Sequence, residues 1–184
     1  MVDNYNRRIF IRRLSSAGVC SFAAIGLIGC RHDISSQTDP AEDEPFSSGA
    51  HEVKMIGSGD VFVFEPDRLV IEPGETVRFV VESSGHTATA YHPANRGSSP
   101  LRIPEDAEAW DSGILSTQGE SFEHTFNVEG VHNYYCLPHE GAGMVGAIVV
   151  GRALDGPGTT APEASIPLAA RNKLSELIEW AKRQ

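Results

Sequence analysis

A short loop near residue 140 limits the folds that this chain can adopt more than any other stretch. It places a thiol, an imidazole and a thioether within nine residues, at Cys136, His139 and Met144, and a further imidazole, His86, lies far upstream. Two histidines, a cysteine thiolate and a weak axial methionine are the ligand set of a mononuclear blue-copper site. The spacing therefore predicts that these four residues hold one copper ion (Cu+/Cu2+), and that the fold brings His86 to the loop.

Short segments with strand character lie on both sides of His86. Turns containing Gly, Pro or Asn separate them. The segments are 61–64, 69–71, 76–81, 121–128, 132–136 and 147–150. Within the third segment, Val77, Phe79 and Val81 fall on one face. Because no helical period interrupts the series, the pattern predicts an all-β fold, an antiparallel sandwich of two sheets, and argues against a βαβ fold.

Two regions depart from this strand pattern. The stretch 87–118 is a long irregular insertion, and a proline at position 104 favours one helical turn at 105–109. After a Gly-, Pro- and Thr-rich linker at 151–165, residues 166–182 have the periodicity of an amphipathic helix. Its apolar positions are Ala170, Leu174, Leu177, Ile178 and Ala181. Two roles are open for this helix: it packs back onto the sandwich, or it docks a partner.

The first 29 residues have the features of an export signal. Arg7 and Arg8 precede an uncharged run that is too short to span a bilayer, a pattern that resembles a twin-arginine signal, although the pair at 12–13 also fits. The run ends at Cys30 in a sequence similar to a lipobox, which predicts lipidation of Cys30 and anchoring on the extracytoplasmic face of the cell membrane. The alternative is a plain secretory peptide in which Cys30 is incidental. Residues 30–50 are rich in Ser, Asp, Glu and Pro and predict a disordered tether.

Cysteine usage and charge narrow the functional classes further. The chain has three cysteines and a formal charge of −10. Cys20 lies inside the apolar run and Cys30 at its end, so Cys136 is the only thiol left for the folded domain and cannot form an internal disulfide. The negative charge argues against nucleic acid as a partner and favours a cationic docking partner.

The copper-type loop and its surroundings resemble the cupredoxin family. Residues 130–146, which include Cys-x-Pro-His and Gly-Ala-Gly-Met-Val-Gly, look like the copper loop of plastocyanins. Residues 64–79 resemble the opening strands of the same family, and residues 86–93, with the acidity and the predicted anchor, are more like halocyanins. The resemblance covers about residues 51–150. It implies a cupredoxin-type Greek-key β-sandwich, followed by the linker and amphipathic helix at 151–184.

Carried over position by position, the resemblance implies the same four copper ligands and assigns roles to their neighbours. The outer edge of His139 is expected to be the electron exit, and Tyr135 to give a second, more remote route. Pro138 has no N–H and therefore withholds one hydrogen bond from the thiolate. Thr87 stands where plastocyanins usually have Asn, and its hydroxyl is expected to tie the two ligand loops together. His132 replaces a more usual aromatic residue.

The other histidines have weaker indications of a metal role. His92 precedes a proline in the irregular insertion, so it is either a loop residue or a contact of the metal site from outside the ligand set. His124 and His132 lie in predicted strands and are expected to be packed or exposed there. His32 and His51 are expected to be tether residues.

These features predict a carrier of single electrons between membrane redox complexes, which are its donor and acceptor. The alternative is a copper-handling protein, a chaperone or store, but such proteins favour exposed sites rich in Met or Cys, and this chain has three Met. Enzyme classes fit less well. Multicopper oxidases require His-x-His pairs, which the sequence lacks, and a dinuclear copper site requires a second cysteine at position 140, which is Glu140. The sequence therefore predicts a protein that is not an enzyme.

Overall fold

A computed structural model describes residues 51–83 and 85–184, and in them two β-sheets pack face to face. The predicted export signal, tether and lipidation site at Cys30 lie outside the described residues. The strands are β1 His51–Ser58, β2 Val61–Glu65, β3 Arg68–Ile71, β4 Glu75–Val81, β5 Thr89–Ala90, β6 Ser121–Phe126, β7 Gly130–Tyr135 and β8 Val145–Val150. One α-helix, α1, spans Leu168–Ala181, and short 3-10 helices span Glu140–Ala142 and Pro157–Thr159.

The predicted sandwich and C-terminal helix are confirmed, but the sheets are mixed and not purely antiparallel. The strand orders are β2-β1-β4-β6 and β3-β8-β7-β5. β1 pairs with β4 in parallel, as β3 does with β8, and the other neighbours are antiparallel. The parallel pairs arise because the chain leaves the first sheet after β2, forms β3 in the second sheet, and returns to place β4 beside β1.

All six predicted strand segments are strands, and two further strands, β1 and β5, were not predicted. His51, expected to be a tether residue, is the first residue of β1. The predicted helical turn at 105–109 is wrong. The chain makes a single turn there, in which the Ala107 N–H donates to the Pro104 carbonyl oxygen at 3.0 Å. The backbone then runs without regular structure to Trp110, which is 5% exposed and stacks on Phe79 at 5.5 Å between ring centroids. Burying this indole ends the turn before a helix can form.

Two layers of apolar side chains stabilise the described domain. Between the sheets, Val77, Phe79 and Val81 of β4 are fully buried, as their alternation predicts. β8 is buried on both faces: Ile148 and Val150 face this core, whereas Ala147 belongs to a second cluster on the outer side of the sheet. That second cluster is the contact with α1.

Helix α1 packs on the sheet formed by β3, β8, β7 and β5. Of the two roles open for the helix, packing back onto the sandwich is therefore the one that the structure shows. Ala170, Leu174 and Leu177 are fully buried and lie in one cluster with Val145 and Tyr135. No helix in residues 51–83 and 85–184 is long and apolar enough to cross a membrane.

The connection that leads to α1 is held by a buried arginine. The Arg102 guanidinium, 0% exposed, donates to Asn133 Oδ1 at 3.1 Å, to the Thr160 carbonyl oxygen at 2.9 Å and to Glu163 Oε2 at 2.9 Å. A Cβ on Gly158 would lie 2.0 Å from the Val131 carbonyl oxygen, so only glycine allows this approach. The segment predicted as a linker is therefore packed tightly against β7.

Candidate metal centre

The loop between β7 and β8 folds back on itself so that its two ends meet. The Cys136 N–H donates to the Met144 carbonyl oxygen at 3.0 Å, and the Met144 N–H donates to the His139 carbonyl oxygen at 3.2 Å. Gly143 makes the reversal with φ 89°, in the left-handed region that favours glycine. Cys136, His139 and Met144 are thus brought together by local backbone hydrogen bonds within the loop.

His86 reaches the same place from a separate part of the chain. A short antiparallel bridge pairs it with Leu115: the His86 N–H donates to the Leu115 carbonyl oxygen at 3.3 Å, and the Leu115 N–H donates to that of His86 at 2.9 Å. The irregular insertion therefore has a role, because its end holds the backbone of His86 in position.

Three candidate donor atoms form a small triangle. Cys136 Sγ lies 3.6 Å from His86 Nδ1 and 3.4 Å from His139 Nδ1, and the two Nδ1 atoms are 3.2 Å apart. A point at the centre of such a triangle is about 2 Å from each corner, close to the length of a metal–imidazole bond. Among the described residues, this is the only group of three or more His, Cys, Asp or Glu ligands gathered so closely.

Burial and charge at the triangle favour a bound cation. His86, Cys136 and Met144 are 1%, 0% and 0% exposed, and His139 is half-buried. Burial lowers the pKa of His86, which the neighbouring His139 lowers further, and burial also lowers the pKa of His139. Both imidazoles therefore keep a free lone pair. Burial raises the pKa of the Cys136 thiol, against the opposing hydrogen bonds from backbone N–H groups. A metal ion would supply the charge that stabilises the thiolate.

Thr87 connects the two ligand segments as expected from the sequence. The Leu137 N–H donates to Thr87 Oγ1 at 2.8 Å, and the Thr87 N–H donates to Cys136 Sγ at 3.3 Å. The Thr87 hydroxyl is 2.9 Å from the Thr89 hydroxyl, which donates to Asp111 Oδ1 at 2.9 Å. This chain of hydrogen bonds sets the distance between the residues that follow His86 and the cysteine.

The structure also describes the surroundings of three other residues that the sequence placed near the site, Tyr135, Pro138 and His92. Tyr135 is fully buried: its ring lies 4.4 Å from that of Tyr91, beneath the α1 cluster. The expected role of Tyr135 in a second electron route stays a prediction. Pro138 is exposed. His92 accepts a hydrogen bond from the Ala94 N–H at 3.0 Å, as a loop residue does, and is not among the clustered ligands.

Sequence reasoning missed two aromatic contacts of the loop. The Phe62 ring stacks on His139 with centroids 3.9 Å apart and planes 8° from parallel. The Tyr91 hydroxyl donates to Glu140 Oε1 at 2.9 Å, which fixes the residue beside His139. The alternation of Phe62 with Phe64 in β2 signals an inward-facing ring. The Tyr91–Glu140 bond has no local signal in the sequence.

Copper fits the donor set that the structure brings together. Two imidazole nitrogens and one thiolate in a trigonal arrangement, with a thioether donor from the same loop, are the ligands of a blue-copper centre. The single buried thiol, Cys136, has no disulfide partner among the described residues. A metal ligand role explains its place between two imidazoles.

Comparison with known proteins agrees with this chemistry. A family model for copper binding proteins of the plastocyanin/azurin family matches residues 50–151, more than half of the chain. Pseudoazurin from Paracoccus pantotrophus is 33% identical over 135 residues, which cover 71% of this chain and 82% of that protein. Plastocyanin from Oryza sativa subsp. indica is 33% identical over 111 residues, and this chain spans 63% of its length.

Solved structures agree with the sequence matches. Pseudoazurin from Methylobacterium extorquens AM1 has a TM-score of 0.53 and 26% identity, covering 73% of this chain and 99% of that one. The family match, the pseudoazurin relative and the shared fold lead to one conclusion. The chain belongs to the plastocyanin/azurin family of copper-binding proteins.

Proposed function

We propose that this protein is a type 1 copper protein that carries one electron at a time, with the copper held by His86, Cys136, His139 and an axial Met144. The observation that carries the proposal is the largely buried triangle of two Nδ1 atoms and one Sγ, with sides of 3.2, 3.4 and 3.6 Å. Copper supplies the one-electron couple between Cu+ and Cu2+.

The rigidity of the site supports electron transfer over copper release. Mixed nitrogen and sulfur donors suit neither oxidation state fully, so a change of charge requires little movement of the ligands. The ligand loop is fixed by its own backbone bonds and by Thr87, and three of the four proposed ligands are nearly or fully buried. A copper-handling protein would instead benefit from open, exchangeable ligands.

One face of the domain is suited to electron exchange. His139 is the only one of the four proposed ligands with substantial exposure. Leu137, which follows Cys136 in the chain, is 44% exposed, and Ile114, next to the Leu115 that pairs with His86, is 63% exposed. Val61, beside Phe62, is 58% exposed. An exposed apolar patch around an imidazole edge lets a redox partner approach closely.

The proposal extends to the domain organisation of the chain and to the location of the protein in the cell. Residues 1–29 form an export signal, 30–50 a tether and 51–150 the copper domain, with the packed connection and helix at 151–184. Lipidation at Cys30 would hold the domain on the outer face of the cell membrane, where membrane redox complexes are its donor and acceptor. Expression of the full chain with a labelled fatty acid tests the anchor: Cys30→Ser should lose the label and release the protein from membranes, and a retained label would contradict it.

Repeated redox cycling separates electron transfer from copper handling. The copper-loaded protein is reduced and reoxidised many times in the presence of a strong copper chelator. A carrier keeps its copper through the cycles, because the same ligands serve both oxidation states. Transfer of copper to the chelator within a few cycles would favour the copper-handling alternative.

A further inference from the structure

The two ring nitrogens of His86 have different surroundings. Nδ1 faces the donor triangle, whereas Nε2 lies on the other side of the ring, 3.2 Å from Ser83 Oγ. His86 is 1% exposed, so solvent contributes little to holding the ring. The ring orientation must therefore come from the groups packed behind it.

Ser83 is itself held in place by β1. The Gly57 N–H donates to Ser83 Oγ at 2.6 Å. A serine hydroxyl has two acceptor lone pairs and one proton. The Gly57 N–H occupies one lone pair, and the other is free to accept a hydrogen bond from an Nε2–H of His86. Ser83 thus offers an acceptor to the ring from a position fixed by the backbone.

Gly57 permits the close approach that this arrangement needs. A Cβ at Gly57 would lie 3.0 Å from His86 Nε2 and 3.1 Å from Phe62 Cδ1. Gly57 and Phe62 face each other across the β1–β2 hairpin, and Phe62 stacks on His139. The hairpin therefore backs both imidazoles: Gly57 lies against His86 and donates to Ser83, and Phe62 stacks on His139.

We propose that Ser83 is a positioning residue that holds His86 with its proton on Nε2 and its Nδ1 lone pair directed at the copper. The inference rests on the proposed copper site. A ligating histidine is fixed in tautomer and orientation by the acceptor bound to its other nitrogen, and loss of such a partner typically lowers metal affinity about 10- to 100-fold. The hydrogen bond also makes the imidazole a stronger donor, which favours Cu2+.

Ser83→Ala tests this role against a matched control. Ser112 likewise accepts a backbone N–H, from Ala88 at 2.9 Å, but its hydroxyl donates to the Gly113 carbonyl oxygen and not to an imidazole. We expect Ser83→Ala to bind Cu2+ at least about 10-fold more weakly in chelator competition, with a higher reduction potential. Ser112→Ala should keep both values. Equal affinity and potential in the two variants would overturn the proposal.

A second measurement does not depend on how the variants fold. In the Cu+ form of the unaltered protein, nitrogen-15 NMR reports which nitrogen of His86 carries the proton and how fast that proton exchanges with water. We expect a protonated Nε2 whose exchange is slowed by the bond to Ser83. A proton that exchanges as in free imidazole, or an unprotonated Nε2, would overturn the proposal.

Failure of this inference can be told apart from failure of the proposed function. If the unaltered protein binds copper with an intense thiolate-to-copper absorption band but Ser83→Ala behaves as Ser112→Ala does, only the role of Ser83 is wrong. If the unaltered protein shows no such band, the copper site itself is wrong and the role of Ser83 falls with it.

Discussion

Met144, the proposed axial ligand, is a residue through which the reduction potential can be adjusted. It is fully buried, and its backbone makes hydrogen bonds with the backbones of both Cys136 and His139. A weak axial ligand tunes the potential more than it holds the metal. We expect Met144→Gln to bind copper and to have a lower reduction potential, because a harder oxygen donor favours Cu2+. Voltammetry checks this, and an unchanged potential would place Met144 away from the metal.

His132 makes stability depend on pH. Burial, opposed by the hydrogen bond to the Val128 carbonyl oxygen and aided by the nearby His124, lowers the pKa of His132 to about 4. Between this value and the unfolded pKa of about 6.5, the unfolded chain binds more protons, so stability falls as the solution is acidified. We expect the copper-free protein to lose roughly 3 kcal/mol through this residue between pH 7 and pH 4.

Denaturant unfolding of copper-free His132→Phe against the unaltered protein measures this contribution. Phenylalanine fills a similar volume but does not titrate, so the variant should lose less stability on acidification. His92→Gln, which alters a loop histidine, serves as the control and should follow the unaltered protein. The same pH dependence in His132→Phe and the unaltered protein would contradict the account.

At the residue scale, the spacing of residues within the loop was enough to predict the site. Contacts between distant parts of the chain could not all be predicted. Cys136, His139 and Met144 are close in sequence, so their types and spacing indicate a common site. The Thr87 bond to Leu137 could be expected once both loops were taken to meet at the metal. Ser83, which contacts the far side of His86, could not, because it follows β4 and is held by Gly57 of β1, so its position depends on the pairing of β1 with β4.

At the scale of elements, α1 is part of the domain's core. Leu174 is fully buried against the second sheet, whereas Leu168 on the same helix is 64% exposed. We expect Leu174→Ala to lower the free energy of unfolding by about 2–5 kcal/mol and Leu168→Ala to change it by less than about 0.5 kcal/mol. Denaturant unfolding measures both, and similar losses in the two variants would contradict the packing.

Strand identities were more predictable than strand partners. The alternation of Val77, Phe79 and Val81 identifies β4 without any knowledge of its neighbours. β1 was missed because its inward residues, Val53 and Met55, stand among polar residues beside a segment that reads as a tether. The parallel pairing of β1 with β4 depends on β3 joining the other sheet. No local sequence pattern predicts that β3 changes sheets.

At the scale of the whole molecule, copper should stabilise the fold. The ligands come from two separated segments, so the assembled site exists only in the folded domain, and a ligand that binds only the folded state raises stability. We expect the copper-loaded protein to melt at a higher temperature than the copper-free protein in calorimetry. Coinciding melting temperatures would argue against a site that is assembled by folding.

Cys136 is proposed to bind copper as a thiolate within the triangle that it forms with His86 and His139. The visible absorption spectrum of the protein loaded with Cu2+ tests it most directly, with Cys136→Ser as the comparison. We expect an intense thiolate-to-copper charge-transfer band in the unaltered protein and its loss in Cys136→Ser. A colourless copper-loaded protein, or a band that survives in Cys136→Ser, would contradict it.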